Sequence, residues 1–311
     1  MKKHLAALPM MVLVCAGIST YAQPKRPTPK PTPKPAIKTV SSAPRSIVFA
    51  VLNDGKTLEP IGYVSKGRLS ATVNGSDPKP QITSFARTYY KAGTTYSLVS
   101  GGAKGGTVRV TSSNANAECA PNTANVTTKA TGAPLKGLVM GVATNMTPKN
   151  AGSSRRKPTP AEKNEADVLA KDAFAKEKLT PKTLHYQNLT AIDVDNDGKA
   201  ELVGSYWVEI DKLTRGLLFF IAGKGSSGKY SIGYKEYRSV DQANVMSGNI
   251  SAVDEGVYHE LLLDYVDIDG DGTAEIFSYQ QGFEGAGFSA YKRSGGRWTK
   301  VHDFNNYHCG F

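Results

Sequence analysis

Two stretches of this chain crowd carboxylates at short, regular intervals: residues 193–201 read D-V-D-N-D-G-K-A-E and residues 267–275 read D-I-D-G-D-G-T-A-E. Aspartates at alternate positions repel one another unless a cation or water stands between them. Glycine at the sixth position lets the chain fold back, so that side chains at positions one, three and five converge. Calcium, which takes about six to eight oxygen ligands in flexible geometry, suits such a cluster. The first loop then offers Asp193, Asp195 and Asp197, the Lys199 carbonyl at position seven and Glu201 at position nine. The second offers Asp267, Asp269, Asp271, the Thr273 carbonyl and Glu275, which makes two calcium sites. A turn capped by water, with no metal, is the competing reading.

The flanks decide what kind of element holds these loops. An EF-hand needs helices on either side and a bidentate Glu at position twelve, where this chain has Gly204 and Ser278. The flanking "LTAI", "ELVGSYWV", "LLLDYV" and "EIFSYQ" are strand-like instead. Each acidic loop is followed by a second strand and then by a hairpin turning at "GKGSSGK" or "RSGGR", so the same unit occurs twice with its loops 74 positions apart. A calcium loop between two strands, repeated, resembles the FG-GAP and VCBS repeats over residues 186–304. That resemblance implies blades of an integrin-type β-propeller in which the ions bracket strand ends. The chain departs from the family pattern in having Glu at position nine, in lacking Phe-Gly and Gly-Ala-Pro, and in showing two units where a closed propeller needs at least about four blades.

The expected fold is mainly β. Residues 46–147 read as β throughout, with "SIVFAVL", "YYKAGTTYSLV", "GTVRVTSS" and "LKGLVMGVAT" between Gly, Asn, Asp and Ser clusters, the spacing of a sandwich-like domain or small barrel. A polar, proline-bearing linker over 148–159 follows. A helix is expected over 160–179, because Thr159 and Glu162 have the spacing of a capping box and Pro160 suits the first turn. Its apolar stripe of Ala166, Leu169, Ala170, Ala173 and Phe174 predicts packing on the β region that follows, residues 180–311. That last region is expected to be the pair of propeller-like blades.

The leader predicts export from the cytoplasm, and the charge bears on what the folded part binds. Residues 1–22 join Lys2 and Lys3 to an apolar run ending in a small residue, a secretory signal pattern; Pro9 and the short length argue against a retained span. Residues 23–38 place Pro at nearly every second position with Lys between, which predicts an extended polyproline II segment in a spacer over 23–45. The formal charge is +11, but residues 1–45 hold eight Lys or Arg and no acid. The remainder has 38 − 8 = 30 basic against 27 acidic groups, a net of +3, which argues against a nucleic-acid-binding surface. After the leader two cysteines remain, Cys119 and Cys309, and an oxidising compartment makes a bridge between them one open possibility.

No Gly-x-Ser-x-Gly elbow or His-Glu-x-x-His helix occurs in the sequence, and His185, His259, His302 and His308 lack metal-ligand spacing. The expectation is therefore an exported protein, periplasmic, surface-held or secreted, that binds calcium and an extracellular or envelope ligand, protein or polysaccharide, without catalysis. A metal-dependent secreted hydrolase and an envelope-structural protein attached through its Lys/Pro tail stand as alternatives.

Overall fold

The run Ser46–Leu52 is apolar at every position after the first, a pattern that requires burial on both faces of a strand. In the computed structural model, which describes residues 44–132, 134–148, 155–246 and 248–309, that strand is β1. Ile47, Phe49 and Val51 face one core while Val48, Ala50 and Leu52 face another. The expectations for the leader and for nearly all of the Lys/Pro spacer lie outside the described residues, as does the middle of the linker.

β1 forms an antiparallel ring with β2 (Thr57–Ser65), β4 (Thr95–Ser100), β5 (Ala103–Ser113), β6 (Ala124–Ala130) and β7 (Gly141–Thr144). The order β1-β7-β4-β5-β6-β2 closes because β2 pairs back with β1, and β3 (Arg68–Ser70) extends β2. Of the two arrangements the strand spacing allowed, a sandwich-like domain or a small barrel, the structure has the second, a six-stranded barrel. Closure satisfies edge strands that an open sheet would leave unpaired.

The expectation of β structure throughout 46–147 is corrected, because Lys79–Tyr89 is a helix, α1, with Pro80 in its first turn. It buries Ile82, Phe85, Ala86 and Tyr89, and its Phe85 and Tyr89 rings pack against Phe49 of β1. An i, i+3, i+4, i+7 stripe thereby plugs the barrel interior.

Helix α2, Pro160–Lys176, ends three residues before the expected boundary. Thr159 and Glu162 form the reciprocal capping box, and Ala166, Ala170, Ala173 and Phe174 are buried as the stripe requires. Full burial of a side chain such as Phe174 contributes about 2 to 3 kcal/mol. It packs with Leu202, Tyr206 and Phe220 of the sheet that follows.

That sheet is a four-stranded antiparallel meander, β8 (His185–Ile192), β9 (Glu201–Asp211), β10 (Thr214–Lys224) and β11 (Tyr230–Asp241). After a short helix α3, Ser251–Asp254, a second meander runs β12 (Glu260–Val266), β13 (Glu275–Gln281), β14 (Gly285–Ser294) and β15 (Arg297–Tyr307). One face of the second meander, with Leu261, Leu263, Phe277 and Phe288, packs on Val48, Ile61 and Val142, on the opposite side of the barrel wall from α1. Its other face, with Leu262, Ile276 and Tyr291, meets Ile192, Val203 and Phe219 of the first. The chain from Ala43 onward is one compact unit. Cys119 and Cys309 form a disulfide across 190 positions, which ties the last strand to the barrel. No helix among the described residues is long and apolar enough to cross a membrane.

Candidate metal centre

Each acidic loop joins the first two strands of its meander, β8 to β9 and β12 to β13. The two loops are built alike. The N–H at position two donates to the Glu at position nine, Val194 to Glu201 at 3.2 Å and Ile268 to Glu275 at 3.0 Å. The glycine N–H at position six donates to the first Asp, Gly198 to Asp193 at 3.0 Å and Gly272 to Asp267 at 3.1 Å. The N–H at position seven donates to the third Asp, Lys199 to Asp197 at 2.7 Å and Thr273 to Asp271 at 2.9 Å. Positions four and six are left-handed in both, with φ 58° and 80° at Asn196 and Gly198 and 81° and 92° at Gly270 and Gly272. Only Gly, and Asn at some cost, take that conformation readily, which is why these residues stand there. The loops also touch, since the Ala274 N–H donates to the Val194 carbonyl at 2.8 Å.

The fold converges some of the expected ligands and diverts others. Oxygens of Asp193, Asp195 and Asp197 lie within 4.8 Å of one another, and so do those of Asp267, Asp269 and Glu275. Glu201 stands apart from the first group, with one oxygen on the Val194 amide and the other on Arg293. Asp271 stands apart from the second and accepts from Thr273 and Lys292. Lys199 and Thr273 contribute their amides as described, and the Lys199 ammonium pairs with Asp197 at 3.3 Å.

Two cations that sequence reasoning missed sit among these carboxylates. Lys292 Nζ reaches Asp269, Asp271 at 2.8 Å and Glu275 at 3.2 Å. Arg293 reaches Asp195 and, at 2.9 Å, Glu201 of the other loop. They are neighbours in β14, and neighbours on a strand point to opposite faces. The alternation of "YKRS" was the available signal, but nothing local says which acids lie opposite.

The electrostatics differ between the loops. Burial pushes the Glu201 carboxyl up to about 7 against the pull of the Val194 amide and Arg293, and burial also raises Glu275. The Lys199 amide holds Asp197 below its ordinary range, and Lys292 does the same for Asp271. Asp193 Oδ1 and Asp195 Oδ1 are buried without a hydrogen-bond partner. No buried carboxylate oxygen of the second loop is in that state. The β2–β3 turn of the barrel approaches the second loop, so that a Cβ on Gly67 would lie 2.1 Å from Asp269 Cβ, although Asp269 and Asp271 stay exposed.

The histidines stand elsewhere. His185 stacks on Trp207, the His259 and His302 rings meet the Val253 and Ile61 carbonyls at 2.9 Å, and His308 pairs with buried Glu59 at 2.7 Å. Asp264, which sequence reasoning passed over, is fully buried and accepts from the Gly101 and Gly102 amides at 2.9 and 3.0 Å. It fastens the second meander to the barrel.

No family model, curated protein or solved structure matches this chain. The functional reading therefore rests on the geometry of the loops.

The carboxylates present fit a hard divalent cation. They are oxygen donors, they converge, and in the first loop two buried oxygens have no proton donor to satisfy them.

Proposed function

We propose that this chain is an exported, non-catalytic calcium-binding protein whose two meanders act as FG-GAP/VCBS-like, propeller-type blades and present a surface to an extracellular or envelope ligand. The observation that carries the reading is the duplicated loop framework, with three equivalent amide-to-carboxylate bonds in each loop and the unpartnered oxygens of Asp193 and Asp195. Asp193, Asp195 and Asp197 would hold one ion, and Asp267, Asp269 and Glu275 the other. Bound calcium supplies divalent charge that neutralises the clusters and holds strand ends together. The protein supplies the amides that orient each carboxylate and the glycines that turn the loop.

The loops should not bind equally. Lys292 already pairs with three acids of the second loop and offsets part of their charge, so a cation there competes with a tethered ammonium. In the first loop Arg293 leaves two oxygens free. We expect dissociation constants of about 10⁻⁴ to 10⁻³ M, as in extracellular modules, with the first loop the tighter. Calorimetric calcium titration of the intact chain, repeated with Asp195→Ala and Asp269→Ala, tests this. Two events, the tighter lost with Asp195→Ala and the weaker with Asp269→Ala, are the expected result. Absence of heat, together with the same melting temperature in chelator and in millimolar calcium, would overturn it.

A further inference from the structure

A cleft of about 660 Å³ lies where the β4–β5 turn of the barrel faces β8 of the first meander and the chain entering α2. That is an ordinary size for a ligand site. None of its lining residues belongs to an acidic loop. Five cationic side chains line it, Lys104, Arg155, Arg156, Lys157 and Lys163, and no carboxylate does. Three of the five have acidic partners behind the wall. Arg155 stands 4.0 Å from Asp264, Arg156 pairs with Glu162 at 2.7 Å, and Lys163 with Asp167 at 2.7 Å. Lys104 and Lys157 are exposed and make no ion pair among the described residues. The wall thus carries two uncompensated positive charges.

Beside them stands an aromatic ring open to solvent. Tyr186 is 53% exposed although it lies in a strand, and Lys163 Nζ sits 4.7 Å from its ring centroid. Leu138 and Val139, 40% and 37% exposed, add apolar surface to the same cleft. Polar Gln187, Asn188 and Thr190 line the strand next to the ring.

We propose that this cleft binds an acidic saccharide, a sugar ring bearing a carboxylate or phosphate group. Lys104 and Lys157 meet the anion, Tyr186 stacks against the C–H face of the ring, and the amide side chains of Gln187 and Asn188 meet its hydroxyls. Two free charges and a single exposed ring match a short acidic sugar better than a nucleic acid, whose recognition needs a broad basic surface. The proposal names a ligand for the binding role above but does not depend on either cation site.

Titration calorimetry of the intact chain, in low salt with chelator present, tests it with trigalacturonate, glucose 6-phosphate and the neutral maltotriose. Chelator removes cations from the measurement, so failure here and failure of the calcium reading are seen separately. We expect saturable binding of at least one acidic probe, stronger than maltotriose by about tenfold or more and weakened by added salt. Trigalacturonate alone would assign the carboxylate, and glucose 6-phosphate alone the phosphate. The double variant Lys104→Glu/Lys157→Glu, at two exposed positions, should lose about tenfold or more in affinity with an unchanged melting temperature. Tyr186→Ala should weaken binding without changing its salt dependence. The proposal is overturned if neither acidic probe binds at millimolar concentration, if maltotriose binds as well, or if the charge-reversed protein binds like the parent.

Discussion

Asp264→Asn should replace a pH-dependent cost of folding by a constant one. Burial pushes the Asp264 carboxyl up to about 6 from 3.8, against the opposing pull of Arg155 and of the Tyr265, Gly101 and Gly102 amides. A rise of about two units, at about 1.4 kcal/mol each, costs the folded state about 3 kcal/mol once the group is ionised. Because the folded value is the higher, its stability contribution is intact below pH 3.8 and is lost as pH rises through about 6. Asparagine does not titrate. It offers one oxygen where Gly101 and Gly102 donate to two, so one buried amide loses its acceptor, at about 1 to 3 kcal/mol at every pH. Urea unfolding of both proteins between about pH 4 and pH 7 isolates the effect, since other titrating groups are common to both and cancel in the difference. The advantage of the parent over the variant should shrink by about 2 kcal/mol across that range. A difference that stays constant within about 0.5 kcal/mol, or grows toward neutral pH, refutes the argument from burial.

Reducing the Cys119–Cys309 bridge, or Cys119→Ala, should lower stability by up to about 5 kcal/mol, the chain-entropy figure for a loop of 190 positions, as read from denaturant midpoints with and without reductant. Thr159→Ala removes the acceptor for the Glu162 amide and should cost about 1 kcal/mol in the same assay. Glu162 is held down at about 2, chiefly by Arg156, so the stability it contributes is present above the ordinary glutamate range and lost as pH falls through about 2; Glu162→Gln should flatten that acid limb. Arg293→Met should destabilise the chelated protein by about 2 kcal/mol, by leaving Glu201 and Asp195 uncompensated, while tightening calcium binding at the first loop in calorimetry.

The features legible in the sequence are those set by neighbours along the chain. The capping box needs only Thr159 and Glu162, three positions apart, and the turn of each acidic loop needs only its own glycines and aspartates. Helix α1 lies in a region read as β throughout, although Ile82, Phe85, Ala86 and Tyr89 have helical spacing; Pro78, Pro80, Thr83 and Thr88 are poor helix formers that weaken the local signal. Barrel closure depends on β2 returning to β1 and on β7 reaching across to β1 and β4, pairings that no single strand encodes. The cysteines were visible but their proximity was not. Asp264 was hidden by its company, three residues before the aspartates of the loop, and only the Gly101–Gly102 turn, 163 and 162 positions away, shows why it is buried.

The positions of Lys292 and Arg293 bear on why the two loops sit together at all. One strand of the second meander delivers a cation to its own loop from one face and to the loop of the first meander from the other. The Arg293 contacts cross between meanders, and so does the backbone bond from Ala274 to Val194. The first acidic loop is therefore partly neutralised by a residue that arrives only when the second meander has docked. Before docking, Asp193, Asp195, Asp197 and Glu201 repel without an internal counter-charge apart from Lys199. The charge pattern then favours the docked pair over either meander alone, and it does so where the apolar contact of Ile192, Val203, Ile276 and Tyr291 provides the remaining attraction. The acids specify which surfaces meet; the apolar residues between them supply most of the energy.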